Sequence, residues 1–174
     1  MGKINKYITL IFSALLLALS SFALEIPKKP NQLVNDYANV LSKAQANEIE
    51  QKLIQYDSET STQIAVVTIK SLKGDDLFDY SQRLAESWGI GGGENDNGVL
   101  LLISIDDRKI RIHTGLGTEG ALPDAISKRI IENEIKPAFK AGDYFAGLNS
   151  GTNAMMQALA GEYTAQPKEE KRGF

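Results

Sequence analysis

The chain has 174 residues, and its 43% hydrophobic and 24% charged residues are typical of a globular protein with one domain. Its 19 basic and 22 acidic residues give a formal net charge of -3, which provides no reason to expect a nucleic-acid partner. The absence of cysteine and the single histidine, His113, exclude disulfides, cysteine nucleophiles and metal sites built from several histidines.

The amino terminus predicts export. Lys3 and Lys6 precede an apolar run over residues 8–19, and small residues follow up to Ala23. A basic segment, a short apolar segment and a small-residue cleavage site in this order are typical of a secretory signal peptide. We therefore expect residues 1–23 to be removed, leaving a soluble, membrane-proximal protein that is periplasmic or secreted. The alternative is an uncleaved signal anchor, for which the apolar run is short.

Composition predicts the domain boundaries. Residues 24–34 contain Pro27 and Pro30 and indicate an extended linker. Residues 162–174 form a polar stretch, which we expect to be a disordered tail. One domain remains between them at 35–161, and we expect it to be a monomer.

The hydrophobic pattern predicts helices alternating with strands. Ser42 and Gln45 have the spacing of a capping box, which marks the start of the first helix. The predicted elements, in chain order, are a helix over 43–57, a strand at 63–69, a helix capped by Asp75 or Asp76 with the stripe Leu77, Tyr80, Leu84 and Trp88, a strand at 99–105, a strand at 110–113, a helix carrying Ile126, Ile130 and Ile131 that Pro137 stops, and a last helix from Tyr144 to Leu159.

Two of the strands are expected to form a hairpin. Residues 106–109 are typical of a turn, and after them Ile110 and Ile112 alternate with Arg111 and His113. This alternation predicts a one-sided strand with His113 on the exposed face. The whole order predicts an α/β fold, an α/β/α sandwich with a mixed central sheet and helices on both faces.

Two loops match a known motif in letters but not in context. Residues 115–120 read G-x-G-x-x-G, yet the preceding strand belongs to a hairpin and no later strand completes the βαβ unit of a dinucleotide site. Residues 95–98 resemble part of a calcium loop, but Ser104 stands where an EF-hand has its bidentate glutamate. We therefore predict neither a dinucleotide cofactor nor an EF-hand.

The geometry of the hairpin indicates a metal site. In an antiparallel hairpin, the start of the first strand and the end of the second lie at the same end of the sheet. We therefore expect Asp96 and Asn97 close to the loop that carries Glu119 and to the helix that starts at Asp124. Oxygen ligands without nitrogen or sulfur suit calcium or magnesium. Residues 106–107 belong to the opposite end and are expected to form the turn.

Each candidate ligand also has a structural interpretation. Asp124 follows a proline in a first helical turn, where the helix dipole favours a carboxylate. Residues 96–98 are ordinary turn formers. Glu119 fits a solvated side chain, and Asp36 fits a cap of a local turn.

Several blocks of the sequence resemble one family. They are Val34-Asn35-Asp36-Tyr37-Ala38, Gln63 to Thr68, Trp88-Gly89-Ile90-Gly91, Asp96-Asn97-Gly98-Val99-Leu100-Leu101-Leu102, Asp107-Arg108-Lys109, Gly115 to Gly120, Asp124, Pro137-Ala138-Phe139 and Gly142-Asp143-Tyr144. In this order, over most of residues 33–160, they resemble the TPM domain. That family is named for a thylakoid lumen protein, a photosystem II repair protein and a nematode receptor accessory protein.

The resemblance implies an α/β/α sandwich on the extracytoplasmic side of a membrane that binds calcium or magnesium. It also implies the weak acid phosphatase activity described for a plant member. By position, the acidic cluster of the family falls on Asp96, Glu119 and Asp124, with Asp36 as a further candidate. The loop before Asp96 is often basic in relatives but reads Gly-Gly-Glu-Asn at 92–95 here, so a lysine that would hold a phosphate is missing.

Three functions fit these residues. In the first, a divalent cation orders the glycine loops of an accessory module that binds a protein partner at the cell envelope. In the second, the cation polarises a phosphoryl oxygen and activates a water, as in a metal-dependent acid phosphatase that hydrolyses phosphomonoesters. The third is a metal-free structural domain. The sequence offers no clear nucleophile, and cations near the cluster are few, Lys128 and Arg129 being the closest in sequence. We therefore favour the first function.

Overall fold

The computed structural model describes residues 23–92 and 96–163. Its sheet has the strand order β1–β2–β3–β4. The strands are β1 Val34–Asp36, β2 Gln63–Ile69, β3 Gly98–Ser104 and β4 Lys109–Thr114. The first three are parallel and β4 is antiparallel to β3, so the sheet is mixed and contains the predicted hairpin. The predicted signal peptide up to residue 22 and the predicted tail from residue 164 lie outside the described residues.

Helices lie between and after these strands, and two of them start at the caps that the sequence predicts. They are α1 Lys43–Thr60, α2 Leu77–Trp88, α3 Leu116–Glu119, α4 Asp124–Ile130, α5 Lys136–Lys140 and α6 Tyr144–Leu159. Ser42 and Gln45 form the predicted capping box of α1, and Asp76 accepts two first-turn amides of α2. Within the described ranges, no helix is both long and apolar enough to cross a bilayer.

Both faces of the sheet are covered, which confirms the predicted α/β/α sandwich. On one face, α1, α4 and α6 contribute to a core that contains Val66 and Leu101. On the other face, α2 packs against Val67 and Leu102. Successive residues of a strand point to opposite faces, and both faces of this sheet are buried. Strands β2 and β3 are therefore apolar along almost their whole length.

The first strand was not predicted. Val34, Asn35 and Asp36 pair with residues 66–68 of β2, at the edge of the sheet. Three residues are too few to show the alternation of apolar and polar side chains that marks a strand. The prolines before them favoured an extended linker instead.

The prediction that Pro137 stops a helix is wrong. After α4, residues Ile131–Ile135 form a π-helical turn that continues directly into α5. The amide of Lys136 donates to the carbonyl of Ile131, five residues back. Pro137 then lies in the first turn of α5, and the chain stays helical through it although a proline has no N–H to donate.

The segment before β1 is extended and anchored to α2. The Trp88 indole donates to the Pro27 carbonyl at 2.7 Å, and the Leu24 amide donates to the Asp75 carboxylate at 2.7 Å. The side chains of Leu24 and Ile26 pack against the core formed by α2. The segment is therefore part of the packed fold.

Candidate functional site

The structure brings Asp96 against the glycine-rich loop after β4. In the hairpin, Val99 pairs with Thr114, so the residues before β3 and after β4 meet. Asp96 Oδ2 accepts the Leu116 amide at 2.9 Å, and the Asp96 carbonyl accepts the Gly117 amide at 3.0 Å. Asp96 has a φ of 43°, in the left-handed region. Its side chain and its backbone are thus both bound to the start of α3.

Glycine and threonine residues hold this loop close to β3. The Gly115 amide donates to the Gly98 carbonyl at 2.8 Å, and the Thr118 hydroxyl donates to the same oxygen at 3.1 Å. A Cβ atom at Gly115 would lie 2.3 Å from the Asp96 carbonyl oxygen, whereas one at Gly120 would meet no atom within 4 Å. The first glycine of the motif therefore permits a close backbone approach, and the last does not serve that purpose.

The other predicted ligands are not gathered around Asp96. The Asn97 side-chain amide donates to the Ser61 carbonyl at the end of α1. Glu119 and Asp124 are exposed on α3 and α4. In the described parts of the chain, no three acidic or histidine side chains lie close enough together to hold a metal ion. The expected convergence of three carboxylates is therefore not seen among these residues, and the ligand set around Asp96 stays a prediction.

Asp36 lies at the opposite end of the sheet. It pairs with Thr68 near the end of β2, and its carboxylate accepts the amides of Val40 at 3.1 Å and Leu41 at 2.8 Å as well as the Thr68 hydroxyl. Since β1, β2 and β3 are parallel, this is the end that carries the β3–β4 turn, away from Asp96. These bonds match the alternative interpretation of Asp36 as a cap of a local turn.

Asp107 stabilises the β3–β4 turn, as predicted. Its carboxylate accepts the Ser104 hydroxyl at 2.5 Å, the Leu72 amide at 2.7 Å and the Ser71 hydroxyl at 3.3 Å. These hydrogen bonds, that of Ser104 first, hold the pKa of Asp107 below its ordinary value. The carboxylate ties the turn to the loop that follows β2.

A cavity of about 390 Å³ opens beside this turn. Isoleucines and aromatic rings line it together with three cations, Arg108, Lys136 and Lys140, and its lining includes no carboxylate. Lys136 is paired with Glu132, and the rings of Phe139 and Tyr144 meet edge to face with centroids 5.0 Å apart. The combination suits a small anion with an apolar part.

The sequence pattern did not predict this group of cations. Lys128 and Arg129 are the cations nearest in sequence to the predicted acidic cluster, whereas the cavity lies at the other end of the sheet. The spacing of Lys136 and Lys140, four residues apart on one helical face, was the available signal. That signal depends on the helix continuing past Pro137, which the sequence did not predict.

His113 is half-buried, so the prediction of an exposed histidine is wrong. Helix α2 packs over the outer face of β4, where the Arg111 guanidinium lies 4.2 Å from the centroid of the Phe78 ring. Burial, with the charge of Arg111, lowers the pKa of His113, while Asp96 and Glu86 oppose that shift. The strand β4 is therefore covered on both faces.

The fold and its loops define a class of protein. It is an α/β/α sandwich whose β3–β4 hairpin joins an Asp-Asn-Gly segment to a glycine-rich loop. The sequence profile of the TPM domain matches residues 34–158, and the chain belongs to the TPM domain family. A comparison with curated proteins gave no match.

The solved structures that are similar to this chain include the following three. The N-terminal domain of a protein from P. gingivalis is 35% identical and covers 84% of this chain and all of that one, with a TM-score of 0.71. The BA42 protein of Bizionia argentinensis is 22% identical over 73% of this chain and 86% of that one, with a TM-score of 0.61. The N-terminal domain of cg2496 from Corynebacterium glutamicum is 17% identical over 86% and 93%, with a TM-score of 0.56. The last two share the fold.

Proposed function

We propose that this TPM-domain protein is exported, takes up calcium or magnesium at the end of the hairpin that carries Asp96, and acts as an accessory module for a protein partner at the cell envelope. One observation supports the cation site above all. Asp96 is held against the loop of Glu119 by the hydrogen bonds from Leu116 and Gly117. Carboxylate and carbonyl oxygens of this kind are the donors that hard cations prefer.

The described donors fit such an ion only in part. Asp96 already accepts the Leu116 amide, and Glu119 and Asp124 are exposed on separate helical segments. Part of the binding free energy would be spent on ordering these side chains, so we expect weak affinity. A dissociation constant on the order of 10⁻⁴ to 10⁻³ M is usual for extracellular calcium modules. No catalytic step through a bound ion follows from these donors.

Calorimetric titration of chelator-treated residues 24–174 with Ca²⁺ and then Mg²⁺ tests the cation site. Asp124→Asn removes an exposed carboxylate that caps no amide of α4, so the fold should persist while binding weakens at least about tenfold. Asp106→Asn is the matched control, because it makes the same exchange on an exposed aspartate at the opposite end of the sheet. Absence of saturable binding, or equal weakening in both variants, would refute the proposal.

The cationic cavity favours a second candidate, an acid phosphatase acting on phosphomonoesters. Arg108 and Lys140 are exposed beside it and suit a phosphate. Turnover of 4-nitrophenyl phosphate, with and without Mg²⁺, tests this candidate. Turnover that Lys140→Gln removes and the control Lys128→Gln retains would establish the phosphatase. We expect no turnover, because the cations and Asp96 lie at opposite ends of the sheet.

A further inference from the structure

The backbone nitrogen of Leu24 lies in a charged cluster at the start of α2. Its N–H donates to Asp75 Oδ2 at 2.7 Å. Arg83 forms an ion pair with the same carboxylate and donates from Nη1 to the Leu24 carbonyl at 3.2 Å. The side chain of Asp75 is 10% exposed, so this carboxylate is largely removed from water. The main chain of Leu24 is thus bound on both its amide and its carbonyl.

The neighbouring residue Ala23 is exposed, and the sequence predicts cleavage immediately after it. Hydrolysis of the Ala23–Leu24 peptide bond consumes one water and leaves a carboxylate on Ala23 and an amine on Leu24. At neutral pH that amine is largely protonated, because an α-amino group has a pKa of about 8. A neutral donor is thereby replaced by a cation at the atom that already contacts Asp75.

We propose that signal-peptide cleavage between Ala23 and Leu24 creates an α-ammonium group that forms an ion pair with Asp75 and locks the mature amino terminus onto α2. The proposal rests on the proposed export. It adds a function for the cleavage itself, since processing strengthens a contact that the fold has already positioned. Ionised donors give shorter hydrogen bonds, roughly twice as strong as neutral ones.

The position of Leu24 does not depend on the new charge. The Leu24 and Ile26 side chains pack against the core under α2, and the Trp88 indole holds the Pro27 carbonyl. The ammonium therefore needs no further ordering of the chain to reach Asp75. Because the geometry is already in place, the interaction costs little conformational entropy.

The ionisable groups around the Leu24 nitrogen determine the pH dependence. Asp75, in the loop before α2, favours the ammonium, and Arg83, on α2, opposes it. Tyr80 of α2 lies behind Arg83, whose guanidinium is 5.6 Å from the ring centroid, and Glu25 is the next residue along the segment. The close carboxylate raises the pKa of the amine above its unfolded value of about 8. The stabilisation is then present below pH 8 and is lost as the pH rises through the folded pKa.

Burial alone would raise the pKa of Asp75. The Leu24 amide and Arg83 outweigh that effect and hold the pKa below its ordinary value. The carboxylate is therefore ionised at neutral pH and can receive the ammonium.

The test begins with the full-length precursor expressed in a bacterial host that exports it. Mass spectrometry of the exported protein should give Leu24 as its first residue; another first residue, or an uncleaved chain, overturns the proposal at the processing step. The second step uses recombinant chains that start at Leu24 or at Ala23 and compares their unfolding midpoints from pH 6 to 10. This step tests docking whatever the outcome of export.

We expect the chain starting at Leu24 to unfold about 3 °C higher than the chain starting at Ala23 at pH 7, with the difference lost by about pH 10. Selective acetylation of the Leu24 amine removes the charge without changing Asp75, and should lower the midpoint to that of the longer chain. In Asp75→Asn the two chains should have equal midpoints. Equal midpoints in the unsubstituted chains, with an amine pKa at its ordinary value by NMR, would overturn the docking.

Discussion

A Cβ atom at Gly115 would lie 2.3 Å from the carbonyl oxygen of Asp96 and 2.6 Å from its Oδ1. No side chain larger than hydrogen fits there without moving the Asp96 backbone. The first glycine of the G-x-G-x-x-G segment is therefore explained by contact between two loops of this protein. A bound phosphate is not needed to explain it.

Gly115→Ala should destabilise the fold and disturb the Asp96 end. The added methyl must displace backbone atoms, for which overpacking predicts a loss of about 2 kcal/mol in the free energy of unfolding. Urea unfolding measures this loss. Gly120→Ala is the matched control, since its Cβ would face open space. Equal stability of the two variants would mean that Asp96 does not pack against Gly115.

Lys52 makes the free energy of unfolding depend on pH in the alkaline range. Its ammonium joins α1 to α6 by donating to Asn149 Oδ1 at 2.5 Å and to Thr152 Oγ1 and Asn153 Oδ1 at 2.8 Å. Burial lowers the pKa of Lys52 from 10.5 to about 8, against the charge of Glu48. Between these two values the unfolded chain binds more protons, so stability rises with pH there and falls as pH drops through the folded value.

Relative to Lys52→Met, the free energy of unfolding of the unsubstituted chain should rise by about 1–2 kcal/mol between pH 8 and pH 10.5. This is less than the free energy that corresponds to the whole change in pKa, because the ammonium keeps some contact with water. Urea unfolding at several pH values measures the difference. Lys43→Met, at an exposed position of the same helix, should show no such trend. A flat difference curve for Lys52→Met would contradict the assignment.

His113 should titrate below the ordinary histidine pKa of 6.5. Burial disfavours its imidazolium form, so its contribution to stability is present above pH 6.5 and is lost as pH falls through the lowered folded value. It is the only histidine, so its ring protons can be followed by NMR without assignment. A midpoint at or above 6.5 in the folded chain would contradict the burial.

The same titration reports on a cation at Asp96. The negative charge of Asp96 raises the pKa of His113, so calcium bound at Asp96 should lower the midpoint further. Asp124→Asn should diminish this effect of calcium. An unchanged midpoint at saturating calcium would place any bound ion away from Asp96.

Asp107→Asn should lower the unfolding temperature and leave cation binding unchanged. The asparagine loses the charge and one of the two acceptor oxygens that bind Ser104, Leu72 and Ser71. Because the pKa of Asp107 is lowered in the folded chain, the difference from the unsubstituted protein should disappear as pH falls below about 3.8. Calorimetry with calcium checks the second part. Lost binding in this variant would move the cation site to the turn.

Strands with a long apolar run could be predicted from the sequence, and the hairpin placed Asp96 at the correct loop. The direction of the Asn97 side chain could not be predicted in this way, because it donates to the carbonyl of Ser61, a partner 36 residues away. The position of Asp36 at the opposite end of the sheet could not be predicted either. It follows from the pairing of β1, and that strand is too short to be recognised from the sequence pattern.

The faces on which the helices lie could not be predicted from general topology rules. The connections β1–α1–β2 and β2–α2–β3 step across the sheet in the same direction but place their helices on opposite faces. They therefore have opposite hands, whereas the general rule expects both to be right-handed. The helix around Pro137 is a second departure from a general rule. A proline usually predicts the end of a helix, whereas here a π-helical turn precedes Pro137 and the helix continues.

The most direct measurement of the cation site is an NMR titration of the ¹⁵N-labelled mature chain with calcium. We predict saturable shifts of the Asp96, Leu116 and Gly117 amides, which belong to the loops in contact, with little change in the β3–β4 turn at residues 106–108. Shifts confined to that turn, or no saturable shift at any amide, would contradict a cation site at Asp96.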